Sequence, residues 1–155
     1  MTGIWILGAA LVLALAFGLF RRATDGGFRD SSAVEEAPQR RHETPDEQGM
    51  AWQRVSDALP EESLGERATL VQFSSAFCAP CRTTRVVLDD VASREAGVHH
   101  VEIDAEKHLD LVRMLDVRRT PTTLILDHVG RELTRAAGAP QRAQVLAALP
   151  TGATS

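Results

Sequence analysis

The two cysteines of this chain stand as Cys78-Ala79-Pro80-Cys81, at the junction of a strand pattern and a helix pattern. The preceding run, Ala68-Thr69-Leu70-Val71-Gln72-Phe73, is short, apolar and β-branched, as a central strand requires. Ser74, Ser75 and Ala76 interrupt it, and after Cys81 the apolar Leu88, Val91 and Ala92 recur at helical spacing. The pair is therefore expected at a helix N-terminus. There the unsatisfied N–H groups and the positive end of the helix dipole favour a thiolate, pulling the first cysteine down from a free pKa of about 8.5. Cys78 is the expected attacking sulfur, and Cys81, one turn deeper, the sulfur that resolves a mixed disulfide. Pro80 suits a first helical turn because no donor is needed there.

Two other uses of paired cysteines fit less well. A zinc site needs two more ligands, and His99-His100 offers them at a spacing that zinc fingers do not use, so no metal is expected. A purely structural disulfide across two intervening residues closes a very small ring, which stabilises little through chain entropy and suits exchange better than stapling.

A second constellation lies downstream, where Arg118-Arg119-Thr120-Pro121 leads into the alternating, β-branched run Thr122-Thr123-Leu124-Ile125-Leu126. Proline is tolerated at the first residue of a strand. Taken together with the upstream dithiol, Pro121 is expected to follow a cis peptide bond that leaves the preceding N–H and C=O open to an extended peptide. Arg82, Arg118 and Arg119 are expected to surround the dithiol, lowering the thiolate pKa and speeding encounters with acidic substrates. Ordinary solvated charge is the alternative for all three arginines.

From about Leu64 to Leu149 the chain resembles thioredoxin, with Phe73, Cys78, Pro80, Cys81, Asp104, Pro121, Thr122, Gly138 and Ala139 at the family's motif positions, in order. The resemblance implies an α/β thioredoxin fold, a central mixed β-sheet flanked by helices. It also implies disulfide-containing protein substrates and a separate thiol reductant. No cofactor is implied beyond the Cys78–Cys81 pair itself, and Phe77, Pro80, Thr120, Pro121 and Gly138 are the implied substrate-binding positions. Between Cys81 and Pro121 there is room for one helix, one strand and one short helix, but not for the central insertion of the cytochrome-maturation branch.

The departures from the family pattern carry their own expectations. Phe77 replaces the usual tryptophan before the first cysteine, keeping an apolar platform and losing an indole donor. Ala79 replaces the usual glycine between the cysteines, a position that influences redox poise. Gln72 replaces the buried carboxylate that serves the second cysteine as general base, and an amide accepts no proton at neutral pH, so slow resolution is expected. Glu102 or His100 on the neighbouring strand are substitutes for that base, although a solvated strand position is the ordinary expectation for each.

With 155 residues, 44% of them hydrophobic, the chain exceeds what one such domain needs. The domain is expected over residues 48–150, opening with an amphipathic helix marked by Met50, Trp52, Val55 and Leu59, and followed by a flexible tail over residues 151–155. A net charge of −4 without a basic run argues against nucleic acid. Basic residues are arginine almost throughout, with Lys107 the only lysine, as in GC-rich bacterial genomes.

The remainder begins with an uncharged apolar run from Gly3 to Phe20, closed by Arg21-Arg22. About 17 residues is the lower limit for a spanning helix, whereas the apolar core of a signal peptide ends at roughly 15. Residues 1–22 are thus expected to form an uncleaved transmembrane helix, with Trp5 near one interface. Residues 23–47, rich in Asp, Glu, Gly, Ser, Pro and Arg, are expected to be a disordered linker spanning roughly 25 to 30 Å. Because Arg21, Arg22 and Arg29 follow the run, the positive-inside rule puts the domain on the cytoplasmic side of a single-pass cell-membrane protein, whereas many tethered relatives work outside. The expected activity is reduction of protein disulfides by dithiol exchange. Its alternatives are an extracytoplasmic reductant of the cytochrome-maturation type and a binding module with little turnover.

Overall fold

The computed structural model describes residues 12–18, the backbone of 28–30, and residues 51–151. Five strands form one mixed sheet in the order β1-β5-β4-β2-β3. The strands are β1 (Phe28–Asp30), β2 (Ala68–Ser74), β3 (Val98–Asp104), β4 (Thr122–Asp127) and β5 (Glu132–Ala137). Helices α1 (Ala51–Ala58), α2 (Ala79–Arg94), α3 (Leu109–Met114) and α4 (Arg142–Ala148) complete the domain. β2 and β3 run parallel, joined through α2, while β4 is antiparallel to both β2 and β5.

The period-two alternation of the central strands divides the core into two layers. Val71, Phe73, Val101, Ile103, Leu124 and Leu126 face one side, where Ala51, Val55 and Leu111 cover them from α1 and α3. Leu70, Val98 and Ile125 face the other, beneath Leu88 and Val91 of α2 and Val145 of α4. Every residue of β2 is buried, Gln72 included, because helices pack on both faces and a strand pairs on each edge. The expected strand thus extends one residue further, through Ser74. In α1, Trp52 is half-buried against the first layer beside Val55, as the amphipathic pattern predicts; Met50 lies outside the described residues.

The β4–β5 turn is closed by Asp127. Its Oδ1 accepts from the backbone N–H groups of Val129 at 3.0 Å and Arg131 at 2.9 Å, and its Oδ2 from Arg131 Nε at 3.0 Å. Gly130 occupies this turn at φ 86°, and a Cβ built there would lie 2.4 Å from the Trp52 Cβ. The turn is therefore what seats α1 against the sheet, and Trp52 N–H donates to the Gly130 carbonyl at 3.2 Å.

The described residues touch the N-terminal portion at two places. Phe28–Asp30 falls inside the stretch expected to be disordered, yet it pairs antiparallel with β5, Phe28 opposite Ala136 and Asp30 opposite Thr134. An unpaired sheet edge recruits any extended segment within reach, and low apolar content does not prevent backbone pairing. The rest of residues 23–47 lies outside the described residues, as do residues 152–155 of the expected tail. Of the expected anchor, residues 12–18 are described, helical and exposed. Among the described residues no helix is long and apolar enough to cross a membrane.

Candidate active site

Cys78 is the N-cap of α2, and its Sγ accepts the Cys81 backbone N–H at 3.1 Å. The cysteines form a disulfide with Cα atoms 5.2 Å apart, so the molecule described is the oxidised form. Pro80 occupies the first turn, as its missing donor allows. The two sulfurs differ in setting. Cys78 is half-buried, and Cys81, one turn further along α2, is 3% exposed. Phe77 stands 99% exposed beside them, with Ala76, Ala79 and Pro80 also open to solvent.

The loop before β4 lies against the loop before α2. The hydroxyls of Ser75 and Thr120 are 3.0 Å apart, and the Thr120-Pro121 bond is cis. The Pro121 carbonyl accepts the Gly138 backbone N–H at 2.8 Å, which brings the end of β5 to the same rim. The loops that carry residues 77, 80, 120, 121 and 138, far apart in sequence, are thus joined by one loop contact and one ladder-end hydrogen bond. Pro121 itself is buried, while Thr120 and Gly138 are half-buried.

The three arginines divide. Arg118 Nε is committed to Asp116, 3.0 Å from Oδ1 and 3.2 Å from Oδ2. Arg119 Nη2 donates to the Ala137 carbonyl at 2.5 Å, beside Gly138. Arg82 is exposed and has no ion pair among the described residues. Asp116, two residues before Arg118, offsets the charge of that arginine locally.

Beneath Cys81 lies a polar layer. Gln72 is fully buried, and its Nε2 donates to the Ser74 hydroxyl at 2.7 Å and to the Cys81 carbonyl at 2.9 Å. Ser74 Oγ in turn donates to Glu102 Oε1 at 2.6 Å, and Glu102 Oε2 meets Arg85 Nη2 at 2.5 Å. The Glu102 carboxylate, by accepting from Arg85 and by its charge, pushes the guanidinium pKa further up. Among the described residues four buried side-chain atoms are left without a hydrogen-bond partner: Gln72 Oε1, Thr84 Oγ1, Thr123 Oγ1 and His100 Nε2.

Neither Glu102 nor His100 is a solvated strand residue. The His100 side chain is 6% exposed, with Nδ1 at 2.6 Å from Asp89 on α2, and Glu102 is 23% exposed. Both project from β3 into the layer that α2 covers, in register with Leu70 and Gln72. Ser74 and Arg85 escape sequence reasoning altogether. Ser74 shares the Gln72 face of β2 by alternation and Arg85 lies one turn beyond Cys81, but only the β2–β3 register places Glu102 between them. Among the described residues no cluster of His, Cys, Asp and Glu could hold a metal ion.

Comparison with known proteins agrees with this arrangement. A family model described as thioredoxin matches residues 54–151. Thioredoxin H2-2 of Oryza sativa is 30% identical over 70 residues, covering 45% of this chain and 52% of that protein. A thioredoxin of Mycoplasma genitalium is 23% identical over 88 residues, covering 57% and 85%. Among solved structures, a mutant thioredoxin from Halobacterium salinarum superposes with a TM-score of 0.51 at 18% identity, covering 63% of this chain and 85% of that one, a likeness of fold. The chain spans about half the length of the first curated relatives it matches, 56% and 53%.

Proposed function

The chain belongs to the thioredoxin family, and on that basis we propose that it is a membrane-tethered thiol-disulfide oxidoreductase that reduces protein disulfides through Cys78 and Cys81. The observation that carries this reading is the asymmetry of the pair: Cys78 Sγ sits at the start of a 16-residue helix and accepts a backbone N–H, while Cys81 is buried. Hydrogen bonding to the charged form and the helix dipole both favour a thiolate at Cys78 in the reduced protein. That thiolate attacks one sulfur of a substrate disulfide, the S–S bond breaks, and the departing substrate sulfur takes up a proton. Cys81 then attacks Cys78 Sγ, releasing the second substrate sulfur and leaving the Cys78–Cys81 disulfide. A separate thiol reductant returns the pair to the dithiol.

In this reading Phe77 and Pro80, next to the cysteines in the chain, and Gly138, joined to Pro121, supply the rim against which an extended client segment lies, with the backbone of Thr120 beside it. Membrane attachment rests on the apolar run from Gly3 to Phe20 and on Arg21-Arg22 after it, which also favour a cytoplasmic domain. The test is insulin reduction. Wild type is expected to precipitate insulin chains in the presence of a dithiol, Cys78→Ser to be inactive, and Cys81→Ser to accumulate covalent client adducts. Adduct formation by wild type without insulin turnover would instead favour the binding-module reading, to which the amide at Gln72 lends weight.

A further inference from the structure

The hydrogen bonds under Cys81 run in one direction only, and the direction is imposed from the protein surface. Arg85 can only donate and ionised Glu102 can only accept. Glu102 therefore draws the single hydroxyl proton of Ser74 towards itself, over 2.6 Å. Ser74 is left with lone pairs for Gln72, so Gln72 must turn its NH2 group to Ser74. The second hydrogen of that group goes to the Cys81 carbonyl, another pure acceptor, 2.9 Å away. Both neighbours of Nε2 accept, and the amide cannot be flipped without losing both bonds. Gln72 Oε1 is left buried with no donor in the oxidised protein. A buried acceptor in that condition has lost its hydration without a protein donor to replace it, so the closed form is penalised.

We infer that Arg85, Glu102 and Ser74 are positioning residues that hold Gln72 Oε1 vacant for the Cys81 S–H, so that opening the disulfide supplies the donor which the closed form lacks. The assignment rests on the dithiol chemistry proposed above and adds the device that biases it. In the equilibrium with glutathione, two glutathione thiols reduce the protein disulfide. The Cys78–Cys81 bond breaks, the glutathione S–S bond forms, and of the two thiol protons one ends on Cys81 while the other is taken by Cys78 or, where Cys78 stays a thiolate, passes to solvent. Gln72 Oε1 gains its hydrogen bond only on the dithiol side, which makes the pair a stronger oxidant and keeps Cys81 protonated. Slow resolution of mixed disulfides follows from the same bond.

The experiment measures the glutathione equilibrium of the purified full chain, a readout that needs no protein client and so stays informative even if insulin is not reduced. Gln72→Leu is expected to move the equilibrium roughly tenfold towards the disulfide, the size of one buried acceptor relieved. Ser74→Ala and Glu102→Gln, which release the amide or reverse the hydrogen bonds, are expected to move it the same way. Ser74→Thr, which keeps the hydroxyl, is expected to restore the wild-type value. Leu88→Ala, a core change in the same layer, lowers stability and leaves the equilibrium in place. An equilibrium within twofold of wild type in folded Gln72→Leu overturns the assignment. Should that variant fail to fold, unchanged values in both Ser74→Ala and Glu102→Gln overturn it equally.

Discussion

Reactivity here is decided by what surrounds each sulfur. A backbone N–H at 3.1 Å stabilises charge on Cys78, whereas Cys81 is buried and its carbonyl accepts from the neutral Gln72 amide. Iodoacetamide at neutral pH should therefore label Cys78 of the reduced protein well before Cys81; preferential labelling of Cys81 would reverse the roles. Gln72→Asp places a carboxylate where Ser74 Oγ and the Cys81 carbonyl both expect a donor. It should lower stability by several kcal/mol while ionised, yet speed resolution of the mixed disulfide by supplying a base. Single-turnover kinetics across pH 6 to 9 check the second effect, and unchanged rates would remove Gln72 from the mechanism. Among the cations, Arg82 lacks the carboxylate that Arg118 has in Asp116. Arg82→Glu should slow reduction of acidic disulfide peptides more than Arg118→Glu does at low salt, and the difference should shrink as salt is added.

The elements matter through their ends. α2 delivers both cysteines because β2 ends at Ser74 and the chain turns through Ser75 to Phe77 into a proline-bearing first turn. The β4–β5 turn plays the matching part at the opposite pole, where Gly130 permits both the positive φ and the approach of Trp52. Gly130→Ala should cost at least about 1 to 3 kcal/mol, since the left-handed backbone is strained for alanine and the Trp52 Cβ cannot move without moving α1. A fall in the urea midpoint at unchanged slope would show it. Insulin reduction by the folded fraction should be unaffected, because the turn lies away from the dithiol rim.

For the protein as a unit, acid stability and topology are the testable properties. Burial works to raise the Asp127 carboxyl pKa, and hydrogen bonds from the Arg131 backbone and guanidinium and from Val129 N–H outweigh it, leaving the group below its ordinary value. Asp90 is lowered by Arg142 and Arg94, and Asp104 chiefly by the Glu106 N–H. A depressed folded pKa means stability that is present above the ordinary carboxylate range, near 4, and lost as pH falls through the lower folded values. Asp127→Asn should cost about 1 to 3 kcal/mol at pH 7 and flatten the acid limb of the urea midpoint plotted against pH. For topology, a reporter active only outside the cytoplasm, fused after Ser155, should stay silent, because the arginines follow the apolar run. A strong external signal would move the domain to the other face and change its clients to exported proteins.

Much of this molecule is written locally. The β2 run, the dithiol at a helix start, the periodicity of Leu88 and Val91, and Pro121 before a strand each follow from constraints acting over a few residues, and all are found where expected. The strand over Phe28–Asp30 was not legible, because edge pairing depends on backbone groups presented by distant β5. The setting of Gln72 was equally hidden. Its replacement of a carboxylate could be read from the chain, but its partners are set by the parallel register of β2 and β3, which brings Glu102 alongside, and by the seating of α2, which brings Arg85 and the Cys81 carbonyl. The sequence by itself determined the chemistry of the sulfurs and the order of the elements, since propensity and periodicity act within an element. Tertiary structure alone decided which polar groups are buried together, because register and layer packing set those distances and no local pattern encodes them.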